Sequence, residues 1–236
     1  MEITEKISFD FFGLILFEPM TALTDLILFL ICLFFTSELH KNTTLKVINS
    51  WKFFFVFMGI STFLGAMAHG LFQYPEGRIF LAVYLSMQIA SGYAVYFAES
   101  ATIHLFASNK SKASLKKFII LKLFLMIIAT LYFQNFMVVV INTALGFLSI
   151  ISFKTIKYFK GHIGSGFIST GILFAILTGI IHGNKISLHA WLNHNDISHF
   201  ILMISLSLIF IGVRKTKSEL ELTDTKGTNN LAAFSK

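Results

Sequence analysis

Residues 18–36 read EPMTALTDLILFLICLFFT. No charged residue occurs in this stretch after Asp25, and about 20 apolar residues are what a helix needs to cross the hydrocarbon layer of a bilayer. Working outward, six further apolar runs follow at about 52–73, 79–107, 117–133, 135–153, 164–184 and 196–213. The fourth and fifth are separated only by Gln134 and Asn135, which demands a tight turn there. Across the 236 residues, 55% are hydrophobic and 13% charged, and mean hydropathy is +0.75. A soluble domain is about a quarter charged. The sequence therefore predicts an all-α polytopic membrane protein, with seven transmembrane helices in one domain over residues 1–213. The polar tail, 214–236, is expected to be disordered. Residues 7–17 are expected to form a short amphipathic helix on the membrane surface. The acidic start and the lack of a small-residue cleavage site do not match a signal peptide.

The basic residues set the orientation. The first, third and fifth loops and the tail hold Lys41, Lys46, Lys52, Lys110, Lys112, Lys116, Lys117, Lys154, Lys157, Lys160, Arg214, Lys215, Lys217, Lys226 and Lys236. The opposite side holds Lys6, Arg78 and Lys185, a bias of fifteen to three. Positive loops stay in the cytoplasm, so the expectation is a plasma (inner) membrane protein with its N-terminus outside and its C-terminus inside. Topology accounts for the net charge of +7 better than nucleic-acid binding does, so no nucleic-acid partner is expected. One cysteine, Cys32, inside an apolar run, leaves no disulfide framework, no disulfide-linked partner and no cysteine-rich metal site. Lys122 is expected to snorkel toward the inner interface, and Trp51 and Trp191 to anchor opposite interfaces.

Ionisable side chains inside a bilayer cost several kcal/mol and mark function. Glu18 and Asp25 lie at the outer end of the first run, His69 near that of the second and His182 near that of the sixth. His189, His194, Asp196 and His199 lie in the last outer loop and at the start of the seventh. Distant stretches thus converge on one depth. Glu18 and Asp25 share a helix face with Thr21 between them, and His199 shares one with Asn195 and with Asp196. Imidazoles from separate helices beside a carboxylate suit a divalent metal such as Zn²⁺ with an open position for water. A nearby Asp would orient a ligand or take the water's proton. Glu99, Ser100 and His104, at the inner end of the third run, read as headgroup contacts. The His-Gly pairs ending GAMAHG (65–70) and TGIIHG (178–183) form a weak internal echo. Two readings compete with a metal site: axial ligation of haem by His69 with His182 or His199, and a non-catalytic sensor or transporter using the polar cluster.

The opening EPMTALTD (18–25) has an acidic residue, six intervening positions and a final Asp25 preceded by the hydroxyl of Thr24. With His69 at the end of the second run and a histidine cluster ending in His199 at the seventh, the pattern resembles the CREST superfamily of seven-helix membrane hydrolases. That group includes the alkaline ceramidases, the progestin and adiponectin receptors and the Per1-like proteins. The resemblance implies Zn²⁺ held by His69 and His199, with His194, Asp196 or His182 as third ligand. Asp196 is the general base where it is not a ligand. Glu18, Thr21, Thr24, Asp25, Asn193 and Asn195 support the site. It also implies hydrolysis of a lipid amide or ester, the membrane lipid being both solvent and substrate. The chain departs from the family pattern in three places. Gly65 stands where a Ser precedes the helix-two histidine by four residues, Asn195 stands for the first His of H-x-x-x-H, and Glu76 is the nearest acidic residue to the family's Asp at helix three.

Overall fold

A computed structural model describes residues 7–40, 45–71, 78–189 and 191–233. Glu76, Lys6, Lys41 and Lys236 lie outside them. The described chain forms α1 (Pro19–His40), α2 (Lys46–Gly70), α3 (Arg78–Phe106), α4 (Asn109–Phe133), α5 (Met137–Tyr158), α6 (Ile163–Gly183) and α7 (His194–Ala233), preceded by strands β1 (Ser8–Phe11) and β2 (Leu14–Phe17). Each helix falls on one of the seven apolar runs. Six are long and apolar enough to cross a membrane: all except α4, whose first half carries Lys110, Lys112, Lys116, Lys117 and Lys122. This is the architecture of a multi-pass membrane protein. Large apolar side chains such as Phe124, Leu145 and Leu173 cover the outside of the bundle, as a lipid-facing surface requires.

Two expectations about the chain ends are corrected. Residues 7–17 form an antiparallel hairpin pairing Ser8 with Phe17 through Phe11 with Leu14, not an amphipathic helix. Phe12 and Gly13 both have positive φ, 54° and 84°, the two-residue turn whose twist matches the strands it joins. Asp10 Oδ1 accepts the Gly13 N–H at 2.7 Å. A β-rich stretch with an aspartate and a glycine at its turn outweighs its helical amphipathicity. At the other end, the polar tail continues α7 as helix to Ala233 instead of leaving it disordered. Lys217 and Glu221 pair at i,i+4. Glu219 accepts the Gly164 N–H at the start of α6 and meets His162 at 3.6 Å, so the tail's first turns are tied to a neighbouring helix.

Gln134 makes the expected tight turn. It caps α4 with φ 49° and its N–H reaches Thr130 O; Asn135 Oδ1 then accepts the Met137 N–H at 2.8 Å, starting α5.

Without a hydrophobic drive between helices in lipid, small residues that let backbones approach set the packing. The tightest case is α6 on α7. A Cβ at Gly212 would stand 2.7 Å from Gly164 O, and one at Gly164 2.7 Å from Gly212 O. Ser205 Oγ donates to Gly171 O across the same interface at 2.7 Å. That contact brings the start of α7 and the end of α6 to one end of the bundle, where α1 begins and α2 ends.

Candidate functional site

At that end the structure brings together residues from four helices. Glu18 joins the hairpin to α1. Its backbone has φ 44°, a left-handed conformation costly for a non-glycine residue and characteristic of positions held by their surroundings. Its N–H donates to Ile7 O at 2.9 Å, and its carbonyl accepts the Ala22 N–H, opening the helix. Pro19 at the first helical position needs no partner for a missing N–H. The Glu18 carboxylate reaches His69 at the end of α2, with Oε2 2.8 Å from Nδ1.

One turn further in, Thr21, Thr24 and Asp25 are buried. Thr21 Oγ1 donates to Asp196 Oδ1 at 2.8 Å. Thr24 Oγ1 lies 2.8 Å from His199 Nδ1 and 3.0 Å from Thr21 O. His199 Nε2 lies 3.5 Å from Asp25 Oδ1. Thr24 has one hydroxyl proton, which it donates to Thr21 O, and the histidine tautomer sets the direction of its contact with His199. Hydroxyl, imidazole and carboxylate stand in one line between α1 and α7. Asp25 is 4% exposed and Asp196 1%; buried polar groups at that depth are tolerated only when bonded.

Gly65 makes room for this line. A Cβ there would stand 2.7 Å from Asp25 Oδ2, closer than real contacts allow. The position that in the resembling family carries Ser is here the floor beneath a carboxylate. Gly65→Ser should destabilise the folded protein by about 1–3 kcal/mol, the usual cost of overpacking, read as a lowered melting temperature in detergent. An unchanged melting temperature would mean that α1 and α2 are not so close.

Asp196, expected as a ligand or general base, also takes part in the start of α7. Asn193 Oδ1 accepts the N–H groups of Asn195 and Asp196, at 2.8 and 3.3 Å, while Asp196 Oδ2 accepts the Asn193 N–H at 2.9 Å. This is a reciprocal capping box at the start of α7. With Oδ1 taken by Thr21, both carboxylate oxygens are engaged. Asp196 thus ties the start of α7 to α1.

The remaining histidines form a more open rim. His182 and His194 have ring centroids 5.3 Å apart, and Phe136 packs on His182 at 5.2 Å. His194 Nδ1 lies 3.4 Å from Ser187 Oγ. His69 is within electrostatic reach of His182, His194 and His199. Both echoing His-Gly pairs therefore sit at this end, but their glycines differ. Gly70 packs against Ala22, whereas Gly183 faces open space.

A zinc ion needs three or more donors turned to one point. Among the described residues no group of three or more His, Cys, Asp or Glu side chains is so arranged. His199 turns one nitrogen to Thr24 and the other toward Asp25, and His69 turns Nδ1 to Glu18. The expected ligands are neighbours, but as placed His69, His199 and Asp196 turn donor atoms to Glu18, Thr24, Asp25, Thr21 and Asn193 and do not converge on one point.

Sequence reasoning missed a second buried polar set, between α3, α4 and α5. Lys122 does not snorkel: its Nζ donates to Glu99 Oε1 at 2.7 Å, and both side chains are largely buried. Glu99 is thus an ion-pair partner, not a headgroup contact. Gly146 admits the pair, since a Cβ there would stand 3.2 Å from Lys122 Nζ. Lys154, assigned to a loop, is on α5 and fully buried, its ammonium 4.9 Å from the Phe106 ring centroid and 5.7 Å from that of Trp51. Trp51 is accordingly a core residue and not an interfacial anchor, while Trp191 is exposed. The only signal in the sequence was an odd lysine inside an apolar run, and a run does not say which helix faces it.

Comparison with known proteins gives one match: a family model described as a family of unknown function, DUF6962, aligns with residues 20–218, from the start of α1 into the polar part of α7. The chain belongs to that family. No curated protein and no solved structure matches it.

Proposed function

We propose that this member of the DUF6962 family crosses the membrane seven times, with its N-terminus outside and its C-terminus in the cytoplasm, and that it hydrolyses an amide or ester linkage of a lipid at the outer face. The topology rests on the fifteen-to-three bias of basic residues. In cells, a membrane-impermeant maleimide should label Ser187→Cys and spare Ser111→Cys, each in a Cys32→Ser background; the reverse pattern would invert the topology.

The observation that carries the reaction is the Glu18–His69 pair at 2.8 Å. A carboxylate holding an imidazole by Nδ1 orients it as a general base acting through Nε2. His69 is partly exposed, with a side-chain relative accessibility of 26%, whereas Asp25 and Asp196 are enclosed. His69 takes a proton from a water molecule as that water adds to the carbonyl carbon. It returns the proton to the departing amine or alkoxide as the bond to the acyl carbon breaks. The His182 and His194 rim lies beside it, where an imidazole N–H stabilises the developing oxyanion. Thr21, Thr24, Asp25, Asp196 and His199 hold α1 and α7 in place beneath. The lipid is the substrate class because the cluster lies at the ends of the apolar helices, the depth at which acyl chains join their headgroups.

Proteoliposomes carrying the protein and a panel of ceramides, acyl esters and lysolipids test the reading, with products followed by mass spectrometry. Release of fatty acid that survives a chelator is expected. Loss of release on chelation, restored by zinc, would overturn the metal-free chemistry and reinstate the expected zinc centre. The burial of the Thr24–His199–Asp25 line favours one other reading, a sensor that passes a proton or conformational signal between α1 and α7. That protein would release nothing from any lipid.

A further inference from the structure

At the opposite end of the bundle, where α6 begins and the polar part of α7 runs on, lies a cleft of about 470 Å³. Its walls are apolar and open to the surroundings: Ile163 is 55% exposed and Leu222 62%, with Ile211 and Phe210 between them. Along the same face of α7, one turn apart, stand Arg214, Lys215 and Ser218, all exposed. The Arg214 guanidinium lies 5.9 Å from the Phe210 ring centroid and the Lys215 ammonium 5.4 Å from that of Phe167. Each cation is held over an aromatic ring, and neither has a carboxylate partner among the described residues. The one acid in the lining, Glu219, is turned to the Gly164 N–H and His162. It therefore ties α6 to α7 without neutralising the two cations. The start of α6 adds the positive end of a helix dipole.

We propose that this cleft binds one anionic phospholipid, its phosphate held by Arg214 and Lys215 and its acyl chain laid from there along Ile211 into the bilayer. Two cations with no carboxylate partner among the described residues, beside exposed apolar surface, match both parts of such a molecule. A free anion would use only the cations, and a zwitterionic lipid brings its own positive charge against them. Binding here holds the start of α6 against α7, and does not depend on the reaction proposed at the other end.

Native mass spectrometry of the full chain in mild detergent, titrated with phosphatidylglycerol or phosphatidylcholine of identical acyl chains, tests the proposal. One phosphatidylglycerol should be retained in preference to phosphatidylcholine. In Arg214→Gln/Lys215→Gln, affinity for it should fall about 25-fold, from about fivefold for each cation, with the melting temperature unchanged because both side chains are exposed. Lys110→Gln/Lys112→Gln, at the same end but away from the cleft, should retain the lipid, and Ile211→Gln should weaken it. Equal retention of the two lipids, undiminished binding in the Arg214/Lys215 variant, or equal loss in the Lys110/Lys112 variant would overturn the site. So would full displacement by glycerol phosphate, which would show that a free anion suffices.

Discussion

Lys122→Ala should cost the folded protein about 3–5 kcal/mol, the penalty for stranding a buried charge. Its Nζ is the donor to Glu99 Oε1, and the other carboxylate oxygen of Glu99 has no partner among the described residues. With the lysine gone, Glu99, 5% exposed in the wild-type chain, is left between α3, α4 and α5 without the counter-charge it is paired with. Glu99→Ala should cost a similar amount from the lysine's side. The double variant Glu99→Gln/Lys122→Met removes both charges and should lose much less than the sum, because the desolvation cost of the pair disappears with it. Unfolding in detergent, followed as a thermodynamic cycle, checks this. Single variants that each cost under about 1 kcal/mol would show a pair that the bundle does not depend on.

The second large effect concerns the other end. His69→Ala should lower turnover of the lipid substrate by about 10²–10⁴-fold, the range supplied by a positioned general base. Glu18→Gln should lower it less, because the amide still places the ring while no longer favouring the protonated imidazole that forms as water is deprotonated. Asp196→Asn should stay within a few-fold of the wild type, since an amide oxygen still accepts from Thr21 or from the Asn193 N–H. This ordering separates the two acidic roles. If Asp196→Asn removed activity and His69→Ala left it intact, the base would have been misassigned.

How much of this was legible in the sequence follows from what a linear pattern contains. Apolar length gave the helices, six of which are long and apolar enough to cross a bilayer, because the bilayer's thickness imposes that length. Depth was legible too: Glu18, His69, His182 and His199 meet at one end because helix ends must fall at interfaces. Rotation about each helix axis was not legible. Nothing in EPMTALTD says that Glu18 turns to His69 while Asp25 turns to His199, or that Asp196 spends its oxygens on Asn193 and Thr21. The same ignorance hid the pairing of Lys122 with Glu99 and the burial of Lys154 and Trp51. Local competition accounts for the rest. The Phe12-Gly13 turn outweighed an amphipathic pattern at 7–17, and contacts such as Glu219 with Gly164 kept a polar tail helical.

The most direct test of the central claim is a turnover measurement in water enriched in heavy oxygen, on wild-type and His69→Ala protein reconstituted in the same lipid. The account predicts release of fatty acid carrying one heavy oxygen from the wild type, and release lowered at least a hundredfold in a variant that remains folded. A folded wild-type protein that releases no acid from any lipid amide or ester, or a His69→Ala variant that releases it as fast, would contradict it.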